Sequence, residues 1–322
     1  MTKPILDFEQ PIVQLEEKIA EMREIGKAID LRKEIAELER RTDNLRKEIY
    51  SNLTRWQRIQ IARHPLRPNS VDFIKNIFTD FIELSGDRVS GNDASIIGGI
   101  AKISGISVVV LGNRKTKDKK TNLYKPAQIP SAEGFRKATR LMKLAERMAK
   151  PVISLIDVPY NASYPENDDP GLANAISNQL AEMSVLQTPT ISVVIGEGAS
   201  ATAMALSIAD RLLMLENSWF SIVSPEKAAE TLWGSLDFKE QAAEAMKPIA
   251  RDLLNLSLID DIVPEPVGGA HRNHKMMFEI LKKKLIAELK DLRREKIEKL
   301  LKKRHENSSQ KEFGANDKSY YN

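Results

Sequence analysis

The sequence predicts an α/β protein with parallel strand pairing, preceded by a helical arm and followed by a long helix. Three observations predict it. Between Gly98 and Val223, short aliphatic and β-branched runs alternate with amphipathic stretches, a rhythm that argues for strands joined by right-handed crossovers. Upstream, the chain is charged and carries its apolar residues at helical spacing. Downstream of residue 274 the helical spacing returns and is strongly basic.

Residues 7–50 read as helix-rich. Leu31, Ile35 and Leu38 share one face, Leu45 and Ile49 extend it, and Lys33/Glu37 and Glu37/Arg41 are charge neighbours on the exposed side. Few heptads are sustained, so this is a packing arm rather than a free coiled coil. A second helix over 52–68 carries Trp56, Ile59 and Ile61 and stops at His64-Pro65, because a residue before proline avoids the helical region. A third is expected over 71–84, with Phe73, Ile74, Ile77, Phe78 and Phe81 in register. Gly98–Ile103 and Ile106–Leu111 form a hairpin around Ser104-Gly105. A helix over 131–149 follows, capped by Ser131, with Glu133 near its positive end. Leu141, Leu144 and Met148 face inward there, and Arg136, Lys137, Arg140 and Lys143 outward. The expected order is then strand 151–156, helix 172–184, strand 190–195, a small-residue helix 199–209, and strands 212–215 and 218–223. After the Gly268-Gly269-Ala270 turn comes one helix from about 275 to 303, and the polar residues 307–322 read as disordered. The domains implied are 1–75, 76–274, 275–306 and a tail, 307–322.

Composition narrows the chemistry. The 322 residues contain no cysteine, which excludes disulfides, thiolate zinc sites, iron–sulfur clusters and a cysteine nucleophile. Four histidines exist, His64, His271, His274 and His305. No apolar run approaches a membrane span, and residues 1–9 resemble neither a signal nor a transit peptide, so a soluble, cytoplasmic protein is expected. Eleven Lys/Arg against four Asp/Glu between Lys282 and Arg304 account for more than the whole net charge of +4. Such a run is ordinarily a solvated helix face, and nucleic acid is not an expected partner.

Two segments follow strands at their carboxyl ends, where α/β folds place their sites. One is Asp157-Val158-Pro159-Tyr160-Asn161-Ala162-Ser163-Tyr164-Pro165, and the other Gly196-Glu197-Gly198-Ala199-Ser200-Ala201-Thr202-Ala203. Small residues that open a helix put backbone N–H groups at its positive end, suited to an anion or a developing enolate oxygen. Close helix–strand packing demands small residues as well, and spacing alone leaves both readings open.

Several stretches resemble one family. They include Leu6-Asp7-Phe8-Glu9-Gln10-Pro11, Ile59-Gln60-Ile61-Ala62-Arg63-His64-Pro65, Gly86-Asp87-Arg88, Gly98-Gly99-Ile100-Ala101 and Glu133-Gly134-Phe135-Arg136-Lys137-Ala138. Val194-Ile195-Gly196-Glu197-Gly198, Met214-Leu215-Glu216-Asn217-Ser218, Ser224-Pro225-Glu226 and Pro264-Glu265-Pro266-Val267-Gly268-Gly269-Ala270-His271-Arg272-Asn273 continue the match in order. The family is the carboxyltransferase alpha subunit of bacterial and plastid acetyl-CoA carboxylase. The resemblance implies a crotonase-like (ClpP/crotonase) ββα superhelix and carboxyl transfer from carboxybiotin on the biotin carboxyl carrier protein to acetyl-CoA, giving malonyl-CoA for fatty acid synthesis. It further implies a beta-subunit partner in an α2β2 assembly. Zinc would lie on that beta subunit, and no metal or covalently bound cofactor on this chain. A plastid-encoded member would work in the stroma. Backbone N–H groups of Ala201, Thr202 and Ala203 would hold the developing negative charge. Tyr160 and Asn161 would face them, and Gly196, Glu197, Gly198, Ala199 and Ser200 would line the biotin pocket.

The sequence departs from the family pattern at that site. Tyr160 stands for a glycine in the first segment, and Asn167-Asp168-Asp169-Pro170-Gly171 replaces an acidic–basic run. Ala199, Ala201 and Thr202 replace glycines in the second, as do Ser207, Ala209, Thr116 and Lys227 elsewhere, and the family's Arg-Asn-Phe-Gly is missing around Tyr124-Lys125-Pro126-Ala127. If those positions were left-handed, each Cβ would cost roughly 1–2 kcal/mol. Three functions therefore stay open: an active carboxyltransferase subunit; an impaired paralogue that binds the beta subunit in a structural or regulatory role; and a serine hydrolase using Ser200, which would need a histidine base within reach.

Overall fold

The computed structural model describes residues 4–25, 30–115, 130–159 and 171–312. Its strands are β1 Thr79–Glu83, β2 Ile96–Ile103, β3 Ile106–Asn113, β4 Val152–Val158, β5 Thr190–Ala199, β6 Arg211–Leu215, β7 Trp219–Ser221 and β8 Asp261–Val263. They form one sheet in the order β1-β2-β3-β4-β5-β6-β8, with β7 paired to the far end of β5. The first three strands pair antiparallel; from β3 onward every pairing is parallel. The hairpin turn holds Ser104 at φ 48° and Gly105 at φ 79°, the two positive dihedrals that a two-residue turn of right-handed twist requires.

The helices are α1 Gln10–Ile25, α2 Arg32–Ser51, α3 Arg55–Ala62, α4 Ser70–Ile77, α5 Ala132–Arg147, α6 Leu172–Val185, α7 Ser200–Met204, α8 Pro225–Trp233, α9 Lys239–Met246, α10 Ala250–Asn255, α11 His274–Leu292 and α12 Ile297–Glu312. Both faces of the sheet are covered, so alternate residues of one strand enter different cores. Val109, Leu111, Val152, Ile156 and Val194 pack with Phe135, Leu141 and Met142 of α5 and with α6. Val108, Val110, Ile153, Leu155 and Val193 pack with Phe73 and Ile77 of α4 and with Met277, Leu281, Leu285 and Leu289 of α11. The arm folds back on itself as α1 and α2, with Arg46 bridging to Glu16 at 2.7 Å, and Leu31, Ile35 and Leu38 half-buried as their spacing predicts.

Several expectations are corrected. The helix expected over 71–84 ends at Ile77, and residues 79–83 are strand β1; Phe78 and Phe81 still face the core, which let helical spacing persist across the boundary. The Ser131 hydroxyl caps nothing and instead donates to Asp93 Oδ2 at 2.9 Å. Lys137 does not face out: it is 1% exposed, and its Nζ donates to Asn92 Oδ1 and the Asp93 carbonyl. Leu144 and Met148 are half-buried. The small-residue helix expected over 199–209 shrinks to the five residues of α7, and the strand expected over 218–223 to the three of β7. The long basic helix is two helices, α11 and α12, because the chain turns at 293–296. It is not simply solvated, since Leu285, Leu289 and Leu292 are core residues and Arg304 is 1% exposed. Residues 307–312, expected to be disordered, continue α12.

Candidate active site

Three strand ends meet at the sheet's carboxyl edge. From Val152↔Thr190 to Ile156↔Val194 the β4–β5 ladder is regular, but Val158 then pairs with Gly198, so β5 carries two extra residues around Gly196 and Glu197. The Asp157 carboxylate fills that bulge. Its Oδ1 accepts the Glu197 N–H at 3.1 Å, its Oδ2 lies 2.6 Å from Lys115 Nζ, and its own N–H donates to Asn113 Oδ1 at 3.1 Å. Gly196 is needed here, since a Cβ would fall 2.5 Å from Asp157 Oδ1. Gly198 lets the Phe220 ring approach, where a Cβ would fall 2.4 Å from Cδ2.

A second ion pair flanks the bulge. Arg63 donates from Nε to Glu197 Oε2 at 2.8 Å and also bonds Glu226 at the start of α8, with its guanidinium 5.4 Å from the Trp219 ring. Burial pushes the Glu197 carboxyl up, and the charges of Arg63 and Lys115 only partly oppose it. Burial acts the same way on Glu226, but there the Arg63 hydrogen bond and charge prevail and lower it. Beneath lies a buried pair, Arg67–Glu265 at 2.6 Å. Arg67 also donates to the Ile195 carbonyl at 2.8 Å, and Glu265 accepts from Asn217 and Ala270.

The chain leaves β5 through Ser200 at φ 66°, the left-handed residue that turns it into α7. Gly196, Glu197 and Gly198, expected between a strand and a helix, and Ala199, expected to open that helix, are all buried strand residues. The conditional strain argument fails for the three glycine replacements. Ala199 is extended at φ −109°, and Ala201 and Thr202 are helical without positive φ, so their Cβ atoms carry no left-handed cost. Ala201 is exposed, while Thr202 and Ala203 are buried. Tyr160 and Asn161 lie outside the described residues, as do Thr116, Tyr124–Ala127 and Asn167–Pro170.

Ser200 is not armed as a nucleophile. Its Oγ pairs with Thr202 Oγ1 at 2.6 Å, while His64 bonds Pro4 and Leu66, His271 stacks on His64 at 4.1 Å, and His274 bonds Leu66. Glu9, His64 and His271 bring ligand-type atoms within 4.8 Å of one another. His64 and Glu9 are already committed, whereas His271 makes no hydrogen bond among the described residues and only lies with Nε2 3.6 Å from Glu9 Oε1. Leu66 N–H donates to His64 Nδ1, which leaves the proton on Nε2, facing the Pro4 carbonyl at 3.1 Å. Burial and the neighbouring His271 push His64 down to about 4. Glu9 accepts from Tyr50 and Arg272, and such bonds, with His271, outweigh its burial and hold it at about 2. Sequence reasoning missed Lys115, Arg63, Glu226 and Arg67 as site-shaping residues, because their partners lie up to 198 positions away.

The family described as "Acetyl co-enzyme A carboxylase carboxyltransferase-like" matches residues 5–311. Acetyl-coenzyme A carboxylase carboxyl transferase subunit alpha of Chlorobaculum parvum is 49% identical over 306 residues, covering 90% of this chain and 91% of that one. Its counterpart from Chlorobium luteolum is 48% identical over 307 residues, covering 90% and 92%. Among solved structures, transcarboxylase 12S with methylmalonyl-coenzyme A bound superposes with a TM-score of 0.56 at 15% identity, over 71% of this chain and 42% of that one. At that identity the likeness speaks for the fold alone, and that fold is the crotonase-like one the sequence implied. The chain belongs to the family of acetyl-CoA carboxylase carboxyltransferase alpha subunits.

Proposed function

We propose that the β5–α7 turn is this chain's share of a carboxyl-transfer site that a beta subunit completes. As a carboxyltransferase alpha subunit the chain takes part in moving a carboxyl group from carboxybiotin to acetyl-CoA. In this reading the amides of Ala201, Thr202 and Ala203 face the negative charge that develops on the biotin ureido oxygen or on the thioester enolate. The ureido anion freed as CO2 departs takes a methyl proton of acetyl-CoA, and the enolate adds to CO2. The chain's task is then to hold hydrogen-bond donors in fixed positions, and each such donor is worth roughly a hundred- to thousandfold in rate. Gly196 to Ser200 form the wall on the biotin side.

The observation that carries this reading is the turn itself. A fully buried strand ends at Ala199, one left-handed serine redirects the chain, and the next three residues open a helix beside two ion pairs whose acids are buried. The biotin carboxyl carrier protein would deliver its carboxybiotin to this edge, and the α2β2 assembly and a zinc-bearing partner belong to the same reading. Exposed apolar side chains nearby, Ile222 at 65% and Leu232 at 68%, favour a subunit that is covered in its working state. Co-expression with a carboxyltransferase beta subunit, followed by assay of malonyl-CoA decarboxylation with free biotin, tests it. Biotin-dependent turnover by the assembled complex is expected, and an assembled complex without it overturns the reading.

A further inference from the structure

We infer that Asp157 and Lys115 are positioning residues for carboxyl transfer: their ion pair sets how far the end of β5 protrudes, and so where the β5–α7 turn presents its amides. The inference rests on the reading of that turn given above.

The argument begins with the bulge. In a regular parallel ladder the residue after Ile156 would pair with the one after Val194, but the pairing resumes only at Val158 and Gly198. Two residues of β5 therefore leave the ladder, and the Glu197 N–H has lost its strand partner. Asp157 Oδ1 supplies the substitute acceptor at 3.1 Å. This is the one backbone group that the carboxylate holds on β5, three residues before the left-handed Ser200. Gly196 allows the approach, because any Cβ there would collide with the same oxygen at 2.5 Å.

The charge of that carboxylate requires a partner. Asp157 is 1% exposed, and Glu197 beside it is a second buried acid of the same sign. Arg63 serves Glu197 at 2.8 Å and Lys115 serves Asp157 at 2.6 Å, so each acid has its own cation. Without Lys115, Asp157 would be an isolated buried anion facing another one, and it would turn away from the bulge. Lys115 stands two residues past the end of β3, and Asn113 at that end accepts the Asp157 N–H. One side chain thus ties the carboxyl ends of β3, β4 and β5 together. Its polar contacts lie at the edge that carries the proposed amides.

The test uses the co-expressed alpha–beta complex and biotin-dependent malonyl-CoA decarboxylation. Asp157→Asn keeps an oxygen for the Glu197 N–H and loses the attraction to Lys115; Lys115→Met removes the same attraction from the other side. Displacing reacting groups by about 1 Å costs roughly a hundredfold, so each variant should lose ten- to a hundredfold in kcat, with KM for malonyl-CoA within about twofold. Lys115→Arg should recover most of the rate. The double variant Asp157→Asn/Lys115→Met should be no worse than the poorer single one, because both remove one interaction. A purely structural role would instead lower the yield of complex and leave kcat per assembled complex unchanged. If Asp157→Asn does not assemble, the comparison of Lys115→Met with Lys115→Arg decides. Wild-type turnover with unaffected kcat in the variants, or fully additive losses, overturns this inference alone. An inactive wild-type complex overturns the functional reading and this inference with it.

Discussion

Replacing Glu265 by Gln should be among the most destabilising single changes in this chain. Glu265 and Arg67 are 0% and 2% exposed at their side chains, and the guanidinium reaches the carboxylate with two bonds, of 2.6 and 3.0 Å. The carboxylate also accepts from Asn217 N at 3.0 Å, Asn217 Nδ2 at 3.1 Å and Ala270 N at 2.8 Å, joining α3's outgoing loop, the β6–β7 turn and the segment before α11. Glutamine keeps one acceptor oxygen but leaves the buried Arg67 without a counter-charge, a loss of about 3–5 kcal/mol. The pH linkage points to a similar size. Burial pushes the Glu265 carboxyl up, but the charge and hydrogen bonds of Arg67 and Asn217 overcome this and hold it at about 2, below the ordinary 4.5. That shift corresponds to roughly 3 kcal/mol. Because the folded value is the lower one, this stability is fully present above pH 4.5 and is lost as pH falls toward 2. Thermal unfolding at neutral pH should show Tm reduced by roughly 6–10 °C. Urea midpoints between pH 5 and 3 should fall less steeply in the variant than in wild type. Adding Arg67→Met should restore part of the loss, since the stranded charge goes with it. A Glu265→Gln protein within about 1 kcal/mol of wild type would refute the reasoning.

Three further outcomes are expected. Gly99→Ala would put a Cβ 2.0 Å from the Ile82 carbonyl oxygen, so β1 must move off β2; a loss of about 1–3 kcal/mol is expected, with faster hydrogen exchange confined to residues 79–83 and their partners. Arg304→Met would strip the buried Asp210 of its 2.8 Å partner and leave the Met183, Leu186 and Thr188 carbonyls without their donor. About 3–5 kcal/mol should be lost, and α12 should become the first site of limited proteolysis. His64, held at about 4 by burial and by His271, refuses a proton that the unfolded chain accepts near 6.5, so stability should fall as pH drops through that interval. His64→Gln should flatten the dependence there, and an unchanged slope would remove His64 as its source.

Elements whose evidence is local were legible in the sequence. The Ser104-Gly105 hairpin, α5, β4, α6 and the first part of β5 follow from turn chemistry and periodicity within a dozen residues, and the structure has them within a few positions. Where two elements share one periodic pattern, the sequence misled. Phe78 and Phe81 continue the spacing of α4 into β1, and nothing as decisive as Gly or Pro marks the break between α11 and α12. The motifs around 196–203 singled out the proposed site but not its shape, for Gly196 to Ala199 proved to be strand and the one left-handed residue of that segment proved to be Ser200.

What the sequence determined by itself was the fold class and the family, because apolar periodicity and motif order are properties of neighbouring residues. Only the tertiary structure decided which charges are buried and with whom. Lys137, Arg304, Arg67 and Lys115 read as surface cations in a linear chain, yet each is screened from water by a partner brought from elsewhere. A buried charge is tolerable only when a counter-charge or a set of carbonyl and amide groups converges on it in three dimensions. That convergence is fixed by strand register, such as the two-residue bulge that seats Asp157, and register is settled by the packing of the whole sheet rather than by any stretch of the chain.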